Sequence, residues 1–375
     1  VEHAGAGFQR HLLVQRAHHA AAQRNARSDT FRALNALEIP WLFFEQAPGR
    51  TYPNGAVAGN LLGFVGADGL AQAGLETGWD SCVAGINGEE MYQRGADGVR
   101  IPGSTVTSVK SQNGGTLKLT IDSDLQWFVQ QSLAKQVDKY SAAWGIAVVQ
   151  EAKTGKLLAV ADYPTLDPNN VDATADANRG SRAFMSPYEP GSTMKPITAS
   201  MLIDTGVATP ETQVWDPYYI KFPNGAEVTD AVMHGTLPLT LTGVIEQSSN
   251  VGMSQLGDTL APDQRYDYML KFGLSSVSAS GYPAESAGIL ASSDAWDNQT
   301  HYTVTFGQGV ATTAIQMSSA YQAIANNGKL IPATLVESCT MPRWSTRRFA
   351  CVPLPAPGGP RRMMLTMPLA PRRGL

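Results

Sequence analysis

Cysteine is scarce in this chain, with three in 375 residues (Cys82, Cys339, Cys351). None has the Cys-x-x-Cys spacing of a zinc module or a redox dithiol. The six histidines include no His-Glu-x-x-His pair, the signature of a zinc hydrolase. No metal and no cofactor are therefore expected. No stretch approaches the roughly 18 uninterrupted apolar residues of a membrane span, and no basic start followed by an apolar core suggests a signal peptide. Net charge is small, 28 basic against 32 acidic residues, which argues against a nucleic-acid partner. Apolar residues are plentiful: 43% hydrophobic against 16% charged suits a globular protein with a sizeable core in two or three domains.

The rest of the chain is organised around Glu189-Pro-Gly-Ser192-Thr-Met-Lys195-Pro196. A Pro-Gly turn leads into an apolar run, Ile197 to Ile203, which ends at Asp204-Thr-Gly206, and glycine is a common helix stop. On a helix of 3.6 residues per turn, Ser192 and Lys195 share one face, close enough for amine and hydroxyl to meet. A serine hydroxyl is a poor nucleophile at neutral pH. A desolvated lysine loses part of its proton affinity and can serve as its base. Backbone N–H groups at a helix start favour a developing oxyanion. Ser192 is thus the candidate nucleophile and Lys195 the candidate base.

Ser-x-x-Lys is a cheap pattern, however, and it recurs at Ser132-Leu-Ala-Lys135. There Leu125, Val129, Leu133 and Val137 repeat every fourth residue, which predicts an ordinary amphipathic helix with Lys135 in solvent. Asp122 and Ser123 supply its N-cap, and the alternating Thr116-Leu-Lys-Leu-Thr-Ile121 before it predicts a strand. Ser111-Gln-Asn113 precedes two glycines and predicts a loop, and Lys153-Thr-Gly155 lies between two apolar runs and predicts a hairpin turn. Context separates the copies. Thr240 to Gln247 and Val251 to Leu260 predict two short helices flanking Ser248-Ser-Asn250. A hydroxyl and a carboxamide held in such a junction can relay a proton and hold an amide. Alternatively, Ser and Asn there simply cap the second helix.

Ser-x-x-Lys, Ser-x-Asn and Lys-Thr-Gly make up the motif set of penicillin-binding proteins and related β-lactamases. The runs Glu-Pro-Gly-Ser192-Thr-Met-Lys195-Pro and Gln-Ser248-Ser-Asn250-Val-Gly closely resemble the transpeptidase domain of class B penicillin-binding proteins. So do Lys153 to Asn169, Phe306-Gly-Gln-Gly309 and Ala320 to Gly328, while Arg50-Thr-Tyr-Pro53 and Gly74-Leu-Glu76 resemble the family's upstream domain. The resemblance implies an α/β (α+β) fold: a penicillin-recognising, β-lactamase-like serine transpeptidase domain behind a partial pedestal, or dimerisation, domain. Expected boundaries are an unassigned segment over 1–28, pedestal over 29–117, transpeptidase over 118–338, and an unrelated tail over 339–375.

The implied activity is cross-linking of peptidoglycan. Ser192 and Lys195 would act as nucleophile and base, Ser248 as proton relay and Asn250 as the substrate-binding amide. Implied partners are stem peptides, β-lactam antibiotics and, through the pedestal, other cell-wall synthesis proteins. Such proteins work at the outer face of the bacterial plasma membrane, tethered by an anchor helix that this chain does not include. A β-lactamase, or a catalytically inactive scaffold, are the alternatives.

In the family the functional Lys-Thr-Gly follows Ser-x-Asn, whereas here it precedes it. After Ser338 the expected Lys-Thr-Gly strand gives way to a stretch from Met341 with seven arginines, seven prolines and no acid. A basic Pro-rich extension fits that composition. A shifted reading frame in GC-rich DNA fits it better. Either way the transpeptidase sheet is expected to be incomplete and its activity impaired.

Overall fold

The alternating run that starts at Thr116 forms a strand, and its neighbours set the frame of the molecule. The computed structural model describes residues 28–37, 39, 50–66, 68–93, 95 and 101–341. Its strands are β1 (Glu89–Met91), β2 (Val106–Val109), β3 (Thr116–Leu119), β4 (Gly145–Gln150), β5 (Leu157–Tyr163), β6 (Gln213–Asp216), β7 (Tyr219–Lys221), β8 (Glu227–Thr229), β9 (Leu237–Thr240) and β10 (Val336–Thr340). The longer helices are α1 (Ser28–Asn35), α2 (Ser123–Lys139), α3 (Lys195–Asp204), α4 (Leu241–Gln247), α5 (Asn250–Gly257), α6 (Pro262–Lys271) and α7 (Ala314–Ala325).

Among the described residues the strands form five antiparallel pairs: β1 with β2, β3 with β10, β4 with β5, β6 with β9 and β7 with β8. Thr334 and Leu335 stitch two of these pairs together. Thr334 exchanges backbone bonds with Gly155 and Leu157, and Thr120 N–H donates to Leu335 O at 2.9 Å. Among the described residues β4 has a ladder partner on one edge only.

Two apolar clusters carry most of the burial. One surrounds α3, whose Ile197, Met201 and Leu202 are fully buried among Leu241 and Val244 of α4, Met253 of α5 and Ala320 of α7. Only the last turn of α3, at Ile203 and Asp204, is exposed, so the helix runs through the interior and not along the surface. The second cluster joins Leu157 and Val160 of β5 to Phe184, Tyr282, Ile315 and Leu335. Leu61 and Leu75 bury into this same cluster, so the residues expected to be pedestal share a core with the residues after them. Arg50 and Tyr52 both bond Glu76, at 2.7 and 3.1 Å, which unites the two upstream segments that the family resemblance paired.

The helix around Ser132 takes the expected cap: Asp122 Oδ1 accepts from the N–H groups of Asp124 and Leu125. Lys135 is exposed. The four-residue repeat misses this helix's polar contacts, which lie on Gln126 and Gln130. Gln130, 7% exposed, accepts from Ala58 N–H at 2.9 Å and donates to Ala56 O at 3.1 Å. Gln130→Ala strands both backbone groups and is expected to cost about 2 kcal/mol in denaturant unfolding. Lys135→Ala should change stability by less than about 0.5 kcal/mol.

Lys153-Thr-Gly155 forms the turn between β4 and β5, as its flanks predict. Its surroundings are the 322–334 segment: Gln322 Nε2 donates to Ala152 O, and Thr334 N–H to Gly155 O. Ser111 lies in a loop tied by a single bridge between Ile86 and Gln112. Strand β10 runs two residues past Ser338, where apolar alternation ends. Backbone pairing with Lys118, Leu117 and Thr116 carries it there, helped by a disulfide between Cys339 and Cys82. Neither depends on hydrophobic period, so the sequence pattern gave no sign of them. The composition-biased residues from Pro342 onward lie outside the described residues, as does 1–27.

Candidate active site

Ser192 sits in a 3-10 turn, Gly191–Met194, that feeds directly into α3. The turn rests on the Phe306–Gly309 segment: Gly191 N–H donates to Gly307 O at 2.9 Å. Gly307 has φ +87°, and a Cβ there would fall 2.2 Å from Gly191 O. Only glycine meets both conditions. The next carbonyl but one, Thr193 O, accepts from the Tyr321 hydroxyl at 2.9 Å.

Ser248 ends α4 in the left-handed region, φ +56°, a conformation uncommon for a residue with a side chain. The cap expected of Ser248 or Asn250 falls to the serine between them: Ser249 Oγ accepts from Gly252 N–H at 2.7 Å. That division of labour leaves the flanking pair pointing at Lys195. Lys195 Nζ lies 2.9 Å from Ser192 Oγ, 3.1 Å from Ser248 Oγ, 2.6 Å from Ser248 O and 2.8 Å from Asn250 Oδ1. Ser248 Oγ donates to Ser192 Oγ at 2.9 Å. The four candidate residues therefore converge, while Ser132, Ser111 and Lys153 stand elsewhere.

Lys195 is 2% exposed. Burial, opposed by the carboxylates of Asp230 and Asp216, brings its ammonium down to about 8. Near neutral pH a measurable fraction of the amine is therefore unprotonated and able to accept the Ser192 proton. Four oxygens surround at most three ammonium protons, so the cluster has no surplus donor. The Asn250 carboxamide is also engaged on its other side, Nδ2 donating to Thr229 O at 3.1 Å.

Behind this front row stand residues that carry no motif. Asp230 Oδ1 accepts from the N–H groups of Asn250 (2.5 Å) and Val251 (3.0 Å), and Asp216 Oδ1 from Ser249 Oγ (2.8 Å). Burial raises the Asp216 carboxyl above the usual range. The His234 imidazole is raised too, by Gly235 O on one nitrogen and Asp230 on the other. Asp216 and Asp230 lie 32 and 18 residues before Ser248, counted in the sequence, on segments with no recognisable pattern. Only tertiary packing brings them to the Ser-x-Asn turn.

A family model, the penicillin binding protein transpeptidase domain, matches residues 145–350. Penicillin-binding protein PbpB of Mycobacterium tuberculosis is 40% identical over 295 residues, 78% of this chain and 43% of that protein. Peptidoglycan D,D-transpeptidase FtsI of Escherichia coli K12 is 31% identical over 84% of this chain and 52% of its own length. The chain thus spans about half the length of these relatives. A crystal structure of penicillin binding protein 3 from Mycobacterium tuberculosis complexed with aztreonam superposes with TM-score 0.69 at 36% identity, covering 78% of this chain and 61% of that one. With Ser-x-x-Lys and Ser-x-Asn meeting at one lysine, a family match over more than half its length, and these identities, the chain belongs to the penicillin-binding serine D,D-transpeptidase family.

Proposed function

We propose that this chain is the acyl-transfer part of a peptidoglycan D,D-transpeptidase. The observation that carries the reading is a buried amine 2.9 Å from the Ser192 hydroxyl, with the Ser248 hydroxyl 3.1 Å from the same nitrogen. Ser192 Oγ attacks the carbonyl of a D-Ala-D-Ala bond while Lys195 takes its proton. Ser248 passes that proton to the departing D-Ala amine, leaving an ester on Ser192. Asn250 turns its carboxamide from Lys195 to the donor amide. The amine of a second stem peptide then attacks the ester, forming the cross-link and freeing Ser192. A β-lactam stalls at the ester because its leaving group stays attached. Structures of the Mycobacterium tuberculosis relative with aztreonam and with ampicillin support β-lactams as ligands of this site.

Activity is impaired in these 375 residues. The resemblance assigns substrate-carboxylate binding and one oxyanion N–H to a Lys-Thr-Gly strand. The Lys-Thr-Gly at 153–155 instead forms the β4–β5 turn, with contacts to the 322–334 segment. Loss of one oxyanion donor typically costs about 100- to 1000-fold. The site of action is the outer face of the plasma membrane. The Cys82–Cys339 disulfide suits an oxidising compartment. Docking of cell-wall synthesis proteins on the upstream residues belongs to the same reading.

Covalent labelling by a fluorescent penicillin tests the function. Lys195 must be unprotonated to act, so labelling should speed up about tenfold per pH unit below pH 8 and level off above it. A rate flat from pH 6 to 9 would remove Lys195 as base. Rapid turnover of a chromogenic cephalosporin would instead make the chain a β-lactamase.

A further inference from the structure

We infer that Asp216, Asp230 and His234 form a binding site for one divalent cation of the zinc class, set behind the turn that carries Ser248 and Asn250. The ligand atoms of these three residues lie within 4.8 Å of one another. His234 Nε2 is 2.9 Å from Asp230 Oδ2 and 4.0 Å from Asp216 Oδ2. Donors about 2.0–2.2 Å from a tetrahedral zinc stand about 3.3–3.6 Å apart, between those two distances.

The local bonding sorts the oxygens. Each carboxylate gives Oδ1 to the Ser249–Val251 turn and keeps Oδ2 for the cluster. His234 Nδ1 is 2.7 Å from Gly235 O, a contact in which Nδ1 donates, so Nε2 faces the two Oδ2 atoms and is the nitrogen a cation would take in place of a proton. A backbone carbonyl on the far nitrogen is the usual support of a metal-binding histidine.

A proton on Nε2 would satisfy Asp230 alone. It leaves Asp216 Oδ2 buried and without a hydrogen-bond partner, on a side chain only 1% exposed. Lys195, the other cation facing these carboxylates, directs its four contacts to Ser192, Ser248 and Asn250. A divalent ion engages all three atoms and balances two carboxylates. One imidazole with two carboxylates and a place left for water suits zinc. Calcium and magnesium ask for more oxygen ligands. The spacing of 14 and 4 residues matches no metal motif, which is why the sequence alone did not suggest it.

The test needs no acyl transfer, so its failure and that of the proposed function are separable. The full chain is stripped with dipicolinate and titrated with Zn²⁺ alone. One equivalent should survive desalting, and at a hundredfold excess over Kd the melting midpoint should rise by about 5 °C. His234→Ala should abolish both, and Lys135→Ala neither. Should His234→Ala not fold, Co²⁺ added to the unmutated chain should give the intense visible bands of a four-coordinate site, lost when Zn²⁺ displaces it. A folded chain that retains no zinc, retention by His234→Ala, a six-coordinate cobalt spectrum, or a melt raised by Mg²⁺ or Ca²⁺ and not by Zn²⁺ would each overturn the inference.

Discussion

Ser192→Ala is expected to abolish covalent labelling by penicillin, a loss of about 10⁴-fold or more, because no other hydroxyl can take its place. Ser248 Oγ is only 2.9 Å away, but it is held by a left-handed backbone and receives Lys195 on its own carbonyl. Lys195→Met should cost nearly as much as Ser192→Ala, and the double variant little more, if the two act as one unit in the proposed roles of base and nucleophile. Far-UV circular dichroism and the melting midpoint would show whether the fold survives. Lys195→Met removes a buried charge but strands the Ser248 carbonyl and Asn250 Oδ1 that the amine holds, so a modest drop in melting midpoint is expected beside the loss of labelling. Labelling of Ser192→Ala at the wild-type rate would mean that a different serine is acylated, with Ser132 and Ser111 the first to examine.

The second large effect concerns Cys82–Cys339. The disulfide joins residues 257 apart in sequence, with Cα atoms 6.4 Å apart, and ties β10 to the 80–83 turn. Closing so long a loop restricts the unfolded chain by up to about 5 kcal/mol in the chain-entropy treatment, and measured native bonds give about 2–5. Cys339→Ser, or thorough reduction, should therefore lower the melting midpoint by roughly 10 °C. Because β10 is stitched to β3 and Cys82 lies under Gly115, with Gly115 N–H donating to Cys82 O at 2.6 Å, loss should reach the whole β3–β10 pair. A shift under about 2 °C would show that strand pairing alone holds this edge. The ion pairs of Glu337 with Lys118 and Lys156, both 2.7 Å, are exposed and contribute little by comparison.

What the sequence determined by itself was local: a serine and a lysine one helical turn apart after a Pro-Gly turn, a serine and an asparagine at a helix junction, and a strand and cap around Thr116 to Ser123. Each rests on interactions within a few residues, and helical period or capping chemistry reads those directly. The motif flanks then carried the family. Three things came only with the tertiary structure. Ser249 rather than its neighbours caps α5, a choice made by the left-handed turn at Ser248. Asp216, Asp230 and His234 meet behind that turn, because β6 and the residues after β8 fold back against α5. Cys82 and Cys339 pair across most of the chain. Side chains separated by tens to hundreds of residues leave no periodicity, and the same Asp or Cys reads as solvated until packing removes the solvent.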